Sequence, residues 1–274
     1  MPVCYWRDMM IKWLLKYCKL SVYVPTAMQL LLPVGIYLGI QSGASWGWWA
    51  FCVFNYLIVY AMVGNNIAMH RYFSHKHFNT NRYVEAVFVW IGSMVTLGDP
   101  FSYAMTHAVH HNPKYTDGPL DPHGPARGLK SILILFQKTV DPSETPVFNK
   151  HLKHLSEKYG WLHRFYVPFV LVNALILFLI SYKLFLFGWL IPASMTCWSV
   201  SMSVIRQHYP LSEGVNNCKT HRWEPIYEGL HKNHHDYPAA PNSALKKGEI
   251  DYTYEFSKIF SPSYNSKGQP RMEE

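Results

Sequence analysis

Charge is scarce in this chain. Asp, Glu, Lys and Arg make up 15% of its 274 residues, against roughly 25% in soluble domains. A fold wetted on all sides is therefore not expected. Paired cysteines are lacking too. The five present, Cys4, Cys18, Cys52, Cys197 and Cys218, are odd in number and contain no CxxC. That excludes a zinc ribbon or thioredoxin-type site and fits free thiols in a reducing compartment. There is no internal repeat and no low-complexity linker. The net charge of +8 comes without the soluble basic module that grips nucleic acid, so nucleic acid is not an expected partner. Anionic membrane lipids or an acidic donor protein suit that charge better.

Apolar and aromatic residues are abundant, at 49% and 16%, and they are bunched. Runs 21–40 and 46–69 are each near the ~20 residues that cross a bilayer core. A block about twice that length is interrupted at Ser181-Tyr182-Lys183 and reads as spans 165–181 and 184–206. Residues 1–19 set Arg7, Lys12, Lys16 and Lys19 among Trp6, Trp13, Leu14 and Leu15. The run after them is too long for a signal peptide core and has no cleavage site behind it. Val84 to Leu97 is too short to span and reads as a buried or interfacial helix. Asn149 to Tyr159 reads as a basic surface helix. Lys and Arg concentrate before the first span, between the second and third, and after the fourth. The positive-inside rule then puts both termini and the long loop in the cytoplasm. The expectation is one all-α integral membrane domain, 1–274, multi-pass, with four transmembrane helices. A cytoplasmic helical cap would comprise 70–164 and 207–274.

Of the 15 histidines, eight fall in three groups: His70 and His75; His107, His110 and His111; His231, His234 and His235. Positions i, i+3 and i+4 share a helix face. Adjacent members such as His110 and His111 are splayed by about 100°, so one can reach one metal and its neighbour another. Imidazole suits Zn, Cu, Fe and Ni. Structural zinc would recruit Cys, and catalytic zinc needs only about three protein ligands. Haem would want a pair within a span. Two irons held by nitrogen fit the count best. They would take the place of the carboxylate-bound irons of soluble bundles.

The order HRxxSH (His70 to His75), HxxHH, HxxHH, with spans before the first and between the second and third, resembles the membrane fatty acid desaturases. Within them it is most similar to the acyl-CoA and bacterial acyl-lipid delta-9-type branch. Asp121-Pro122-His123 with Arg127-Gly128 resembles the family's DPH…RG stretch. Glu228-Gly229-Leu230-His231-Lys232-Asn233-His234-His235, followed by Pro238 and Glu249-Ile250-Asp251, resembles its GEGxHNxHH…EID stretch. The resemblance implies a four-span bundle whose cytoplasmic cap holds two iron ions (Fe2+) above an acyl channel. The eight histidines would be ligands, and O2 the co-substrate. A ninth ligand is expected at the cytoplasmic end of the fourth span, in an N-x-x-x-H pattern. His208 sits near that place, but Val204 stands four residues earlier. A gapless match would instead use Ser201 and Ile205, and His221 competes with His208.

No catalytic residue beyond the ligands is expected. Asp99, Asp117, Asp121, Glu228 and Asp236 are candidates to orient ligating imidazoles. His77, His123, His151, His154 and His163 are expected to be structural or on the surface. Arg127, with Lys130, is a candidate for substrate phosphate or plain positive-inside charge. The chain has no HPGG haem motif, so a separate ferredoxin or cytochrome b5 is the expected electron donor to desaturation of a lipid acyl chain. The alternatives are a di-iron hydroxylase or ketolase acting on an alkane, sterol or carotenoid, and a non-redox metal-binding membrane protein.

Overall fold

The computed structural model describes residues 23–116, 121, 149–208, 215, 217, 228–261, 263–265 and 268–270. Cys4, Cys18, Cys218, Asp117, His123, Arg127, Lys130 and His221 lie outside the described residues.

Helix α1 spans Val24–Gln41. Pro25 sits in its first turn, where a missing N–H breaks no helical bond. Helix α2 runs unbroken from Trp46 to Ser74, 29 residues. That is longer than the ~20 residues a span requires, so its last turns can leave the hydrocarbon with His70 still on the helix. Two short capped helices follow. Asn81 caps α3, Arg82–Met94, and Asp99 caps α4, Pro100–His110, in a reciprocal box with Ser102.

Helix α5, Lys150–Arg164, is amphipathic. Leu152, Leu155, Tyr159 and Leu162 recur at three- and four-residue steps and are buried, with Lys153 and Lys158 turned outward. It breaks at Phe165 into α6, Tyr166–Ile180, with a bend of 59°. Pro168 in the first turn of α6 has no N–H for the carbonyl of Arg164, which supplies the break. Helix α7, Tyr182–His208, runs 27 residues, and the short helices α8, His231–Asp236, and α9, Tyr252–Ser257, follow it among the described residues. Strands β1, Phe78–Asn79, and β2, Ser263–Tyr264, pair antiparallel with Phe78 opposite Tyr264.

Helices α1, α2 and α7 are long and apolar enough to cross a membrane; α5 and α6 make a fourth if the bent pair is one span. Alone, α6 has 15 residues, short of a full crossing. Leu30 and Ile40 on α1, and Leu171, Leu179 and Ile180 on α6, are more than half exposed. Lipid is the solvent such a face requires. Cys52 and Cys197 are buried free thiols.

Two cores result. One joins Met28, Trp189, Leu190 and Phe187 between α1 and α7. The other packs Ile67, Met69, Phe73, Phe88 and Leu155 beneath the histidine-bearing turns. Two glycines set the seam of α2 against α3. A Cβ on Gly64 would stand 2.6 Å from Val95 Cγ2 and 3.0 Å from Ile91 Cγ2, both stiff β-branched groups. A Cβ on Gly92 would meet Met69 Sδ at 2.7 Å, the end of a pliable side chain. Gly64→Ala should therefore cost ~1–3 kcal/mol of stability, and Gly92→Ala less. Thermal unfolding in detergent would order the two; equal loss would discount the β-branched wall.

Candidate metal centre

The first histidine pair lies at the end of α2. Residues five apart on an α-helix point about 140° away from each other, which would separate His70 from His75. Over Asn55–Ser74 the helix carries wider π-type turns, and the His75 N–H bonds to the His70 carbonyl at 3.1 Å. One wide turn thus returns both rings to one side, with centroids 4.8 Å apart. Local π turns often mark functional sites.

The second set rides on α4, with His111 as its C-cap. The third occupies α8. The nine side chains meet as two groups, His70, His75, His107, His111 and His234 in one, His110, His208, His231 and His235 in the other. Within each group the candidate ligand atoms lie within 4.8 Å of one another. The two HxxHH sets exchange members. His107 and His111, four apart and on one face, join the first group, while His110 turns to the second. His231 and His235 join the second, while His234 turns to the first. The groups adjoin, with the rings of His111 and His235 stacked at 4.2 Å. His208, at the end of α7, is fully buried, with its Nε2 2.9 Å from that of His231.

The nitrogens face inward in pairs. Nε2 to Nε2 distances are 2.8 Å for His75–His107, 3.0 Å for His70–His234, and 3.1 Å for both His111–His234 and His231–His235. Two nitrogens on one ion at about 2.1 Å, at right angles, lie roughly 3 Å apart. The residues present therefore fit two imidazole-bound metal ions. Burial, then repulsion from neighbouring imidazoles, holds His75, His107, His231 and His234 well below the usual histidine range. They are neutral at pH 7, the form that binds metal.

Two of the candidate carboxylates orient these rings. Glu228 accepts from His70 Nδ1 at 2.6 Å, and Asp121 from His110 Nδ1 at 3.0 Å. Each contact fixes the tautomer that turns Nε2 inward. Asp99 instead caps α4 and accepts from His163. Asp236 pairs with Lys232 on the surface. His77 stacks on His75 and bonds the Pro238 carbonyl, His151 bonds the Phe73 carbonyl, and His154 is exposed.

Sequence reasoning gave Arg71 no role, although it is a cation inside a histidine motif on an apolar helix. It is 2% exposed. Its guanidinium donates to Glu228 at 2.8 Å, to both oxygens of Asp251 at 2.9 and 3.1 Å, and to the Pro241 carbonyl. Burial alone would push the Glu228 carboxyl up, but the charges and hydrogen bonds of His70 and Arg71 hold it down at about 2. Glu228 does this from φ 44, a left-handed backbone that costs a non-glycine residue about 1–2 kcal/mol. Asp251 also accepts from the Ser243 and Tyr254 backbone. Arg71 thereby ties the first histidine pair to the segments on both sides of α8.

Arg71→Met should leave two buried carboxylates without their cation and cost ~3–5 kcal/mol. Thermal unfolding in detergent checks this. A loss below 1 kcal/mol would mean the network is not what joins α2 to the α8 segment.

A family model described as Fatty acid desaturase matches residues 46–249, more than half the chain. The chain is 27% identical to an acyl-CoA 5-desaturase of Anemone leveillei, over 73% of this chain and 65% of the relative. It is also 27% identical to an sn-2 palmitoyl-lipid 9-desaturase of Nostoc sp. (strain 36), over 72% of each. An sn-1 stearoyl-lipid 9-desaturase of Anabaena variabilis is 24% identical over 85% of this chain and 88% of its own length. All nine grouped histidines lie inside the matched segment, and the chain belongs to the fatty acid desaturase family.

Proposed function

We propose that this chain is an oxygen-dependent desaturase that inserts a double bond into a lipid acyl chain, using two iron ions. The observation that carries the reading is the pair of adjoining all-nitrogen groups beside the ends of α2 and α7, two helices long and apolar enough to cross a membrane. His70, His75, His107, His111 and His234 would hold one ion, and His110, His208, His231 and His235 the other. Bound iron with O2 supplies an oxidant strong enough to take hydrogen from an unactivated methylene, which no side chain can do. The overall reaction is R–CH2–CH2–R′ + O2 + 2 e− + 2 H+ → R–CH=CH–R′ + 2 H2O.

The chain's own residues provide placement. Asp121 and Glu228 lock imidazole tautomers, and Arg71 clamps Glu228. The apolar helices bring acyl chains to the histidine face, where the carbon held nearest decides the product. The family match and the names of the relatives favour a double bond over a hydroxyl or ketone. In this reading the bundle has four spans, with α6 in the third. The histidine cap and both termini face the cytoplasm, where a separate ferredoxin or cytochrome b5 delivers electrons. Arg127 is the candidate contact for a phosphate on the substrate.

Expression in a host should add an unsaturated acyl species by gas chromatography and mass spectrometry, absent from a His110→Ala, His111→Ala variant. Hydroxylated products alone would replace desaturation with the hydroxylase reading. The purified protein should hold two irons per chain by elemental analysis. Asp121→Asn should weaken metal affinity ~10–100-fold; unchanged occupancy under chelator challenge would remove Asp121 from the site.

A further inference from the structure

The two histidine groups draw on different helices. The first takes His70 and His75 from the end of α2, His107 and His111 from α4, and His234 from α8. The second takes His110 from α4, His231 and His235 from α8, and His208 from α7. Helix α7 thus serves the second group alone, with one ring of its four. That ring is on the last residue of the helix, so its place depends on how α7 is held.

Helix α1 carries no histidine of either group, yet it carries a fully buried amide, Gln29. A buried amide between apolar helices is costly without partners. Gln29 turns to α7. Its Nε2 donates to Ser201 Oγ at 2.9 Å and, more weakly, to the Cys197 carbonyl at 3.5 Å. The Gln29 carbonyl accepts from Trp198 Nε1 at 3.0 Å. Ser201 is also fully buried. It stands seven residues before His208, close to two helical turns, so both lie on one face of α7. A longer contact, Gln207 Nε2 to the Glu228 carbonyl at 3.3 Å, joins the end of α7 to the segment before α8.

We propose that Gln29 is a positioning residue for the second histidine group. Its hydrogen bond to Ser201 sets the rotation and height of α7, and so delivers His208 to His110, His231 and His235. Packing of apolar side chains tolerates small sliding; a hydrogen bond between spans fixes one register. Slippage by one residue would turn His208 by about 100° and shift it by about 1.5 Å. Its Nε2 could not then stay 2.9 Å from that of His231. Helix α1, which brings no ring, acquires a specific task at the site. The inference rests on the two-ion reading of the histidines.

The test is the iron retained by the purified, iron-loaded chain under a fixed chelator challenge. Gln29→Leu and Ser201→Ala should each weaken the second ion about three- to tenfold, as expected for one lost hydrogen bond between spans. The first ion should be untouched, so iron falls from two per chain toward one and not below. The double variant should lose no more than Gln29→Leu alone, because both changes remove the same bond. Tyr60→Phe removes a different bond onto α7, to the Gly188 carbonyl at 3.0 Å, far from His208, and should keep both ions. Retention in Gln29→Leu equal to wild type, loss of both ions together, or the same loss in Tyr60→Phe would each overturn the proposal. Hydrogen exchange over residues 202–208 needs no metal. It should quicken in Gln29→Leu and stay unchanged in Tyr60→Phe. If the wild-type chain holds fewer than two irons, the two-ion reading falls, and the exchange result decides whether Gln29 positions the end of α7.

Discussion

Nine imidazoles brought into contact repel one another unless they are uncharged. In water each would titrate near pH 6.5 and the groups would fly apart on protonation. Here burial comes first and mutual repulsion second, and together they keep the rings of His75, His107, His231 and His234 neutral. The inward-facing ring nitrogens lie 2.8 to 3.1 Å apart. Lone pairs at that spacing are unfavourable neighbours until a cation sits among them. The rest of the structure serves this one arrangement. It excludes water with two apolar cores and brings the rings in on rigid helices. Carboxylates are placed behind the rings, so that the tautomers face the right way.

The same constraint explains the buried charge. A carboxylate beside His70 would be prohibitive alone, since burial disfavours its ionised form. Arg71 makes it tolerable, and Arg71 is in turn satisfied by Asp251 and a carbonyl. A buried ion network of this kind is weak evidence for net stability. Its value is in registry. It fixes the end of α2, with two of the histidines, against the segments that flank α8, which holds three.

The exchange of members between the two HxxHH sets follows from helix geometry. Positions i and i+4 nearly eclipse, whereas i+3 lies on the other side of them. Two such helices facing each other can each give two rings to the near group and one to the far group. That pattern was legible as spacing. So were the long apolar runs and the basic helix α5. Asp121 and Glu228 stood among five candidate carboxylates, with no local signal to set them apart from Asp99 and Asp236.

What the sequence by itself determined was periodic: which stretches are apolar enough for lipid, which are helices, and that clustered imidazoles imply metal rather than ordinary surface histidines. What only the tertiary structure decided was convergence. His70 and His75 share a side because the end of α2 widens into π-type turns, which no spacing rule for an α-helix supplies. His208 reaches the second group because α7 runs unbroken to it and packs there, whatever stands at position 204. Arg71 and Asn65 acquire roles from partners more than thirty residues away. Sequence periodicity reports each helix's own face, and contact between faces depends on how the helices pack.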